Sequence, residues 1–326
     1  MSILTVENLV TEFRTPAGPR RAVDDVSFSL DRGETLGLVG ESGSGKSVTA
    51  LSLLRLIDPQ AGRVTSGRVL FDGQDLLTLS DRAMRGLRGR RMSMIFQEPL
   101  SALNPCYTVA DQITEVFVAH GDGRGAASRR RCLELLKLVH IPDPEGIMRR
   151  FPHEISGGMR QRVMIAMALA YTPDVLIADE PTTALDVTIQ AQVLHLLDRL
   201  RRELNLAVIL ITHDMGIVAQ HADRLAVMYG GRIVETGPVA EVFASPSHPY
   251  TKGLLASVPT LGDRWRHGHQ RLNEIPGSVP TIMEDVPGCR FAPRCAQRFA
   301  VCTERPPLFA RDDGRTVACW LERNAS

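Results

Sequence analysis

The run Gly40-Glu41-Ser42-Gly43-Ser44-Gly45-Lys46-Ser47 constrains this chain more than any other feature. It fits the pattern G-x-x-x-x-G-K-[ST] and stands where that pattern has meaning. The apolar stretch TLGLV leads into it as a strand, and Leu51, Leu54 and either Leu53 or Ile57 follow at helical spacing before Asp58-Pro59 ends the run. A strand that breaks in a glycine-rich turn and restarts as a helix aims successive backbone N–H groups, and the positive end of the helix dipole, at one place. That place suits phosphate oxygens. Lys46 is then expected to reach the β and γ phosphates of a nucleotide, and the Ser47 hydroxyl to give an oxygen to Mg²⁺.

A second element of the same chemistry lies far along the chain. The apolar run VLIAD ends in Asp179 and Glu180. Two acids at the carboxyl end of a buried strand sit where open α/β sheets bind ligands. Such a strand is, taken alone, as readily one that leaves the core into a charged loop. Beside Lys46 the sharper reading prevails: Asp179 holds Mg²⁺, and Glu180 accepts the proton of an attacking water.

Around these motifs the chain alternates strands and helices. LTVENLV and AVDDVSFSL read as strands, DVLIAD and LAVILIT as parallel strands buried on both faces, and VTIQAQVLHLLDRLRREL between the latter two as a helix. This order predicts an α/β core. From about residue 102 to 158 the pattern is helical, interrupted by the link GDGRGAASRRR, and reads as an insertion. After residue 240 proline, cysteine and short polar links such as SPSHPY, VPTLGD and IPGSVP mark a boundary. The division expected is 1–240 and 241–326. At 326 residues the chain exceeds what one core usually serves, which favours a main domain and an appendage.

Bulk properties exclude other classes. No run approaches the roughly 18 apolar residues of a membrane helix. The N-terminus MSILTVENLVTEF lacks the basic, apolar and small-residue segments of a secretory leader, so a cytoplasmic location is expected. Thirty-eight basic against thirty-seven acidic residues give a net charge of +1, which offers no footprint for nucleic acid.

Ile155-Ser156-Gly157-Gly158-Met159-Arg160-Gln161-Arg162 resembles the signature motif of the ABC family, usually written LSGGQ. Ile155 stands for the leucine, and Met159 for the glutamine, which removes an amide from that position. Without the family, SGG reads as a helix N-cap. Other matches follow in the family's order. Gln97 resembles the Q-loop glutamine that senses Mg²⁺ and the attacking water, Ala184-Leu185-Asp186 the D-loop, His213 the switch histidine, and Phe13 the aromatic that stacks on adenine. The resemblance implies a P-loop NTPase core of RecA-like type, an antiparallel β subdomain and the helical ABC insertion. It also implies that two such chains close head to tail, each ATP being bound by one chain's loop and completed by the partner's Ser156, Gly157, Gly158 and Met159.

His248-Pro249-Tyr250, Asn104-Pro105-Cys106-Tyr107-Thr108-Val109 and the run from Asp179 to Gln192 resemble the dipeptide and oligopeptide importer ATPases. From physics alone His248-Pro249-Tyr250 is a turn that begins a helix. The likeness implies a peripheral subunit on the cytoplasmic face of the membrane. It would partner a second, different ATPase chain, two transmembrane permease subunits and an extracytoplasmic peptide-binding protein. Nickel, glutathione or another small solute remains an alternative cargo, and a non-transport ABC ATPase a further alternative. Four of six cysteines, Cys289, Cys295, Cys302 and Cys319, crowd the last forty or so residues without the paired C-x-x-C spacing of ordinary zinc sites. A reducing cytoplasm disfavours disulfides. The likeness implies a [4Fe-4S] cluster on these thiolates, with zinc and structural thiols as alternatives.

Overall fold

The computed structural model describes residues 2–98, 102–183, 185–257, 275–278 and 286–324. In chain order the strands are β1 (Ser2–Thr15), β2 (Gly18–Asp31), β3 (Thr35–Val39), β4 (Gly62–Phe71), β5 (Gln74–Asp75), β6 (Met92–Ile95), β7 (Val175–Asp179), β8 (Ala207–Thr212), β9 (Arg224–Tyr229), β10 (Arg232–Pro238), β11 (Phe309–Ala310) and β12 (Thr316–Val317). The helices are α1 (Lys46–Leu53), α2 (Asp81–Leu87), α3 (Val109–Ala119), α4 (Ala126–Leu138), α5 (Pro144–Ile147), α6 (Gly157–Ala168), α7 (Val187–Leu204), α8 (Met215–His221), α9 (Val239–Ala244) and α10 (Pro249–Ala256). By packing, the chain forms two units, each discontinuous in sequence.

The first unit comprises residues 1–4, 30–34 and 71–211. Its sheet pairs β6, β7 and β8 in parallel, with Ile95 opposite Ala178 and Asp179 opposite Ile211. Every residue of β7 and β8 is buried, as expected of parallel strands covered on both faces. Helices α3, α4 and α6 pack on one another, and α6 also meets α7. Helix α3 begins at a capping box in which Thr108 Oγ1 accepts from Asp111 N–H at 3.2 Å. Helix α7 spans the same residues that the apolar periodicity predicts. The link expected to interrupt the helical insertion is shorter than its composition suggests, because α4 already begins at Ala126 and takes in the AASRRR half. Those residues have good intrinsic helix preference, and only Gly121 and Gly123 adopt positive φ.

The second unit comprises residues 5–29, 35–70 and 212–326. Strands β2, β1 and β4 are neighbours in one sheet. In the other, β3 and β9 are parallel, β10 runs antiparallel to β9, and β12 pairs antiparallel with both β10 and β11. The turn from β9 to β10 is Gly230-Gly231, with φ of 54° and 82°, as a two-residue hairpin with both central residues at positive φ requires. Residues beyond 240, which composition sets apart, pack in this unit. Phe291 lies in one apolar cluster with Val39, Tyr229, Val242 and Tyr250. The Phe291 ring meets Tyr229 edge-on at 5.2 Å and Tyr250 at 5.4 Å.

Helix α1 stops short of Asp58-Pro59. It ends at Leu53 because Arg55 turns into the left-handed region (φ 51°), and Leu56 N–H returns to Leu51 O at 2.8 Å. Asp58 instead makes a turn, its carbonyl accepting from Ala61 and Gly62 N–H.

Candidate nucleotide site and cysteine cluster

In the second unit, residues 40–47 leave β3 and open α1. Val39 is opposite Val227, so Gly40 lies beside Met228, and a Cβ at Gly40 would overlap the Met228 carbonyl. Gly45 has φ of 103°, and a Cβ there would come within 2.7 Å of the Ala22 carbonyl. These two positions therefore tolerate only glycine, and the loop they permit is tightly curled. Lys46, 5% exposed, folds back over it, its Nζ donating to the carbonyls of Gly40 at 2.7 Å and Glu41 at 2.9 Å. An ammonium held against a ring of peptide groups at a helix start is a phosphate-binding arrangement. Gly231 N–H donates to Ser44 O at 2.8 Å, so the β9–β10 turn braces the loop from behind. Asp24, fully buried, accepts from Arg232 Nε at 2.7 Å and Arg290 Nη2 at 2.8 Å beside that turn. Burial opposes its charge, but the guanidiniums win and hold its carboxyl below the usual range.

Phe13 is half-buried on β1 and lines a cavity of about 340 Å³ with Thr15, Pro19 and Arg63. Its ring rests against Gly62, where a Cβ would stand 3.0 Å from Cδ1. An aromatic ring lining a cavity fits a stacked base. His213 follows β8 and is exposed, with Asp214 capping α8 through Gly216 N–H at 2.7 Å.

In the first unit, the parallel register explains a contact that sequence spacing cannot show. Ile95 and Ala178 are opposite, so residues two positions further on, Gln97 and Glu180, emerge side by side. Gln97 Nε2 donates to Glu180 Oε2 at 3.0 Å, and Thr183 Oγ1 donates to the same oxygen at 2.8 Å. Glu180 has φ of 46°, an uncommon conformation for a non-glycine residue, and its N–H donates to Ile211 O at 3.0 Å. Asp179, one residue earlier, is buried at the strand end. The carboxylate expected to act on water is thus oriented by an amide and a hydroxyl. Sequence reasoning missed Thr183, whose only signal is its position three residues past Glu180.

Ser156 caps α6, its Oγ accepting from Met159 N–H at 3.3 Å. The bare reading of SGG as an N-cap is thereby met. A Cβ on Gly158 would lie 2.7 Å from Ile189 Cγ2, so the glycine lets this helix start sit against α7. Asp186 caps α7, accepting from Ile189 N–H at 2.9 Å, while Ala184 lies outside the described residues. Met159 adds no amide here, and the motif's polar groups are Ser156 Oγ and the helix N–H groups.

His248-Pro249-Tyr250 begins α10, with His248 Nδ1 accepting from Tyr250 N–H at 3.0 Å and Pro249 at the first helical position. Burial holds His248 neutral, its pKa pushed down to about 3. Glu235, fully buried, accepts the N–H groups of Ser247 and His248, each at 2.9 Å.

Cys289, Cys295, Cys302 and Cys319 all line one cavity, and Cys289 N–H donates to Cys302 O at 3.0 Å. Among the described residues no three metal-binding side chains stand close enough to grip a single ion. Burial pushes the Cys319 thiol up to about 11, with the other three cysteines adding repulsion; Cys289 and Cys295 are raised mainly by burial. The four thiols line one narrow cavity of about 10 Å³. The polar links VPTLGD and most of the segment up to residue 285 lie outside the described residues.

A glycine cradle with a buried lysine in the parallel strand–loop–helix setting, and an acidic strand end in a helix-bearing unit, define a P-loop nucleotide-binding cassette. Comparison with known proteins agrees. Residues 23–183 match the ABC transporter family, and residues 234–302 match the oligopeptide/dipeptide transporter C-terminal region. The dipeptide transport ATP-binding protein DppD of Bacillus subtilis is 51% identical over 321 residues, 98% of this chain and 95% of that protein. The oligopeptide transport ATP-binding protein OppD of the same organism is 50% identical over 320 residues, 98% of this chain and 88% of that protein. Among solved structures, the dimeric bacterial ABC transporter cassette MJ0796 superposes with a TM-score of 0.64 at 27% identity, covering 72% of this chain and 98% of that one. The chain belongs to the ABC transporter ATP-binding proteins, in the branch that carries the oligopeptide/dipeptide C-terminal region. Its cofactor chemistry is accordingly that of ATP and Mg²⁺. Among the described residues no helix is long and apolar enough to cross a membrane.

Proposed function

We propose that this chain hydrolyses ATP to power import of dipeptides or short oligopeptides, working peripherally at the cytoplasmic face of a membrane. The observation that carries the ATPase reading is Lys46 held over a loop that only glycine at positions 40 and 45 permits. The peptide reading is supported by the full-length likeness to the dipeptide and oligopeptide transport proteins.

The roles follow from the chemistry of each group. The N–H groups of the loop 40–47 other than that of Glu41, which Tyr250 holds, take phosphate oxygens, with Gly43 and Ser42 at the bend, and Lys46 offsets charge on the β and γ phosphates. Ser47, Asp179 and Gln97 would hold Mg²⁺, which would neutralise the charge that develops on the departing ADP. Water attacks the γ phosphorus as the bond to the β-phosphate oxygen breaks, and Glu180, oriented by Gln97 and Thr183, accepts the water's proton. His213 steadies the γ phosphate, and Phe13 stacks on adenine. Ser156, Gly157, Gly158 and Met159 complete the ATP of a partner ATPase chain, with Asp186 at the shared boundary. Val187, 81% exposed directly after Asp186, presents an apolar side chain suited to such a partner. Residues 1–240 form the cassette and 241–326 the extension, whose four cysteines would hold a [4Fe-4S] cluster, with zinc as the alternative. Two permease subunits and an external peptide-binding protein complete the importer.

Glu180→Gln keeps the bulk and the hydrogen bonds of the side chain but removes the base. ATPase turnover is expected to fall by about 10²–10⁴-fold with ATP still bound and a closed dimer accumulating on size exclusion. Turnover like that of the unmodified chain would refute the assignment.

A further inference from the structure

The C-terminal extension reaches the phosphate-binding loop at Glu41, the loop's second residue. Tyr250 Oη accepts the Glu41 N–H at 2.8 Å. Arg294 forks onto the carboxylate, Nη1 to Oε2 at 2.8 Å and Nη2 to Oε1 at 3.0 Å. Its other donors are also engaged: Nε with Pro276 O at 2.8 Å, Nη2 with Ile275 O at 3.1 Å, and Nη1 with Tyr229 Oη at 3.4 Å. All five N–H groups of the guanidinium are therefore directed, four of them by charge or by carbonyls, and the side chain is only 5% exposed. A surface ion pair would not be built this way.

A carboxylate in a loop that binds phosphates carries an electrostatic cost. Glu41 gives its own carbonyl to Lys46 Nζ at 2.9 Å, so its negative charge sits within a Debye length, about 8 Å, of the ammonium that meets the phosphates. Unpaired, it would repel an anionic ligand and compete for Lys46. We propose that Arg294 is a positioning residue for ATP: it neutralises Glu41, so that the cysteine-bearing extension, through the residue just before Cys295, sets the affinity of the phosphate-binding loop. This rests on the nucleotide reading of residues 40–47.

The variants Arg294→Met, Arg294→Lys, Glu41→Gln and Arg294→Met/Glu41→Gln, in the full chain, separate charge from scaffolding, with ATP, ADP and adenosine titrated at fixed ionic strength. Arg294→Met is expected to weaken ATP binding about tenfold and ADP less, to leave adenosine unchanged, and to raise KM with little change in kcat. Arg294→Lys, which keeps the charge without the fork, falls between. Glu41→Gln alone, and combined with Arg294→Met, binds ATP within about twofold of the unmodified chain. A double variant as weak as Arg294→Met, or an Arg294→Met effect equal for ATP and adenosine, would make the arginine a scaffold only and overturn the proposal. Lys46→Ala serves as the separate control: if it binds ATP as the unmodified chain does, the nucleotide reading itself fails, whatever Arg294 does.

Discussion

Single residues in this protein owe their chemistry to what surrounds them. His248 is an example with a measurable consequence. It is 1% exposed, caps α10 through Nδ1, and must be neutral to do so. The unfolded chain takes up a proton near pH 6.5, whereas the folded chain resists until about pH 3. Below pH 6.5 the unfolded state therefore binds more protons, and stability falls as pH drops toward 3. The contribution lost is about 1 kcal/mol between pH 7 and 5.5. His248→Asn keeps an N-cap acceptor and removes the titration, so urea midpoints for that variant should be flatter over this interval. Equal slopes for the two proteins would show that His248 is not the group responsible. Asp24 acts in a lower window: its folded carboxyl is depressed by Arg232 and Arg290, so its share is present above about pH 4 and is lost below it.

At the scale of elements, glycines decide which helices can approach. Gly158 in the first turn of α6 is not conformationally strained; it is small because Ile189 of α7 lies against it. Gly158→Ala gains about 1 kcal/mol of helix propensity but forces a β-branched side chain to move, an overpacking cost of about 1–3 kcal/mol. A net loss is expected, seen as a thermal midpoint lower by a few degrees, and Ile189→Ala in the same chain should restore it. If Gly158→Ala is as stable as the parent, the α6–α7 fit is looser than described. The strands make the complementary point. β6 and β7 are short and apolar, yet their one-to-one parallel register places Gln97 against Glu180, residues 83 apart in sequence.

The whole molecule joins chemistry that the chain order keeps apart. The extension's Phe291 fills the apolar cluster beside Val39, and β12 extends the sheet through β10, with Glu235 opposite Val317 and Thr236 opposite Thr316. Loss of the cysteine site should therefore be felt at the loop. Protein purified without oxygen is expected to be brown with about four irons per chain. Cys302→Ser should lose most of that iron and weaken ATP binding, read by iron assay and nucleotide titration. Colourless protein carrying no iron would remove the cluster from the account, and zinc in its place would favour the other metal.

The elements and the chemistry of the loop were legible from residues alone, because they rest on local rules. Residues 40–47 follow an apolar strand, α7 has an unbroken periodicity, and His248-Pro249 reads as a helix start. Resemblance in Ser156-Gly157-Gly158 and in His248-Pro249-Tyr250 supplied the family, which the comparisons bear out. The end of α1 at Leu53 is not legible in the sequence, since nothing there marks Arg55 for positive φ. Thr183 on Glu180, and Tyr250 and Arg294 on Glu41, lay beyond the sequence as well. Helix and loop signals are set by neighbours a few residues apart, so composition and spacing carry them. Contacts between residues as distant as 41 and 294 depend on strand register and on which side chains fill one core, and those are decided only when the chain has closed on itself.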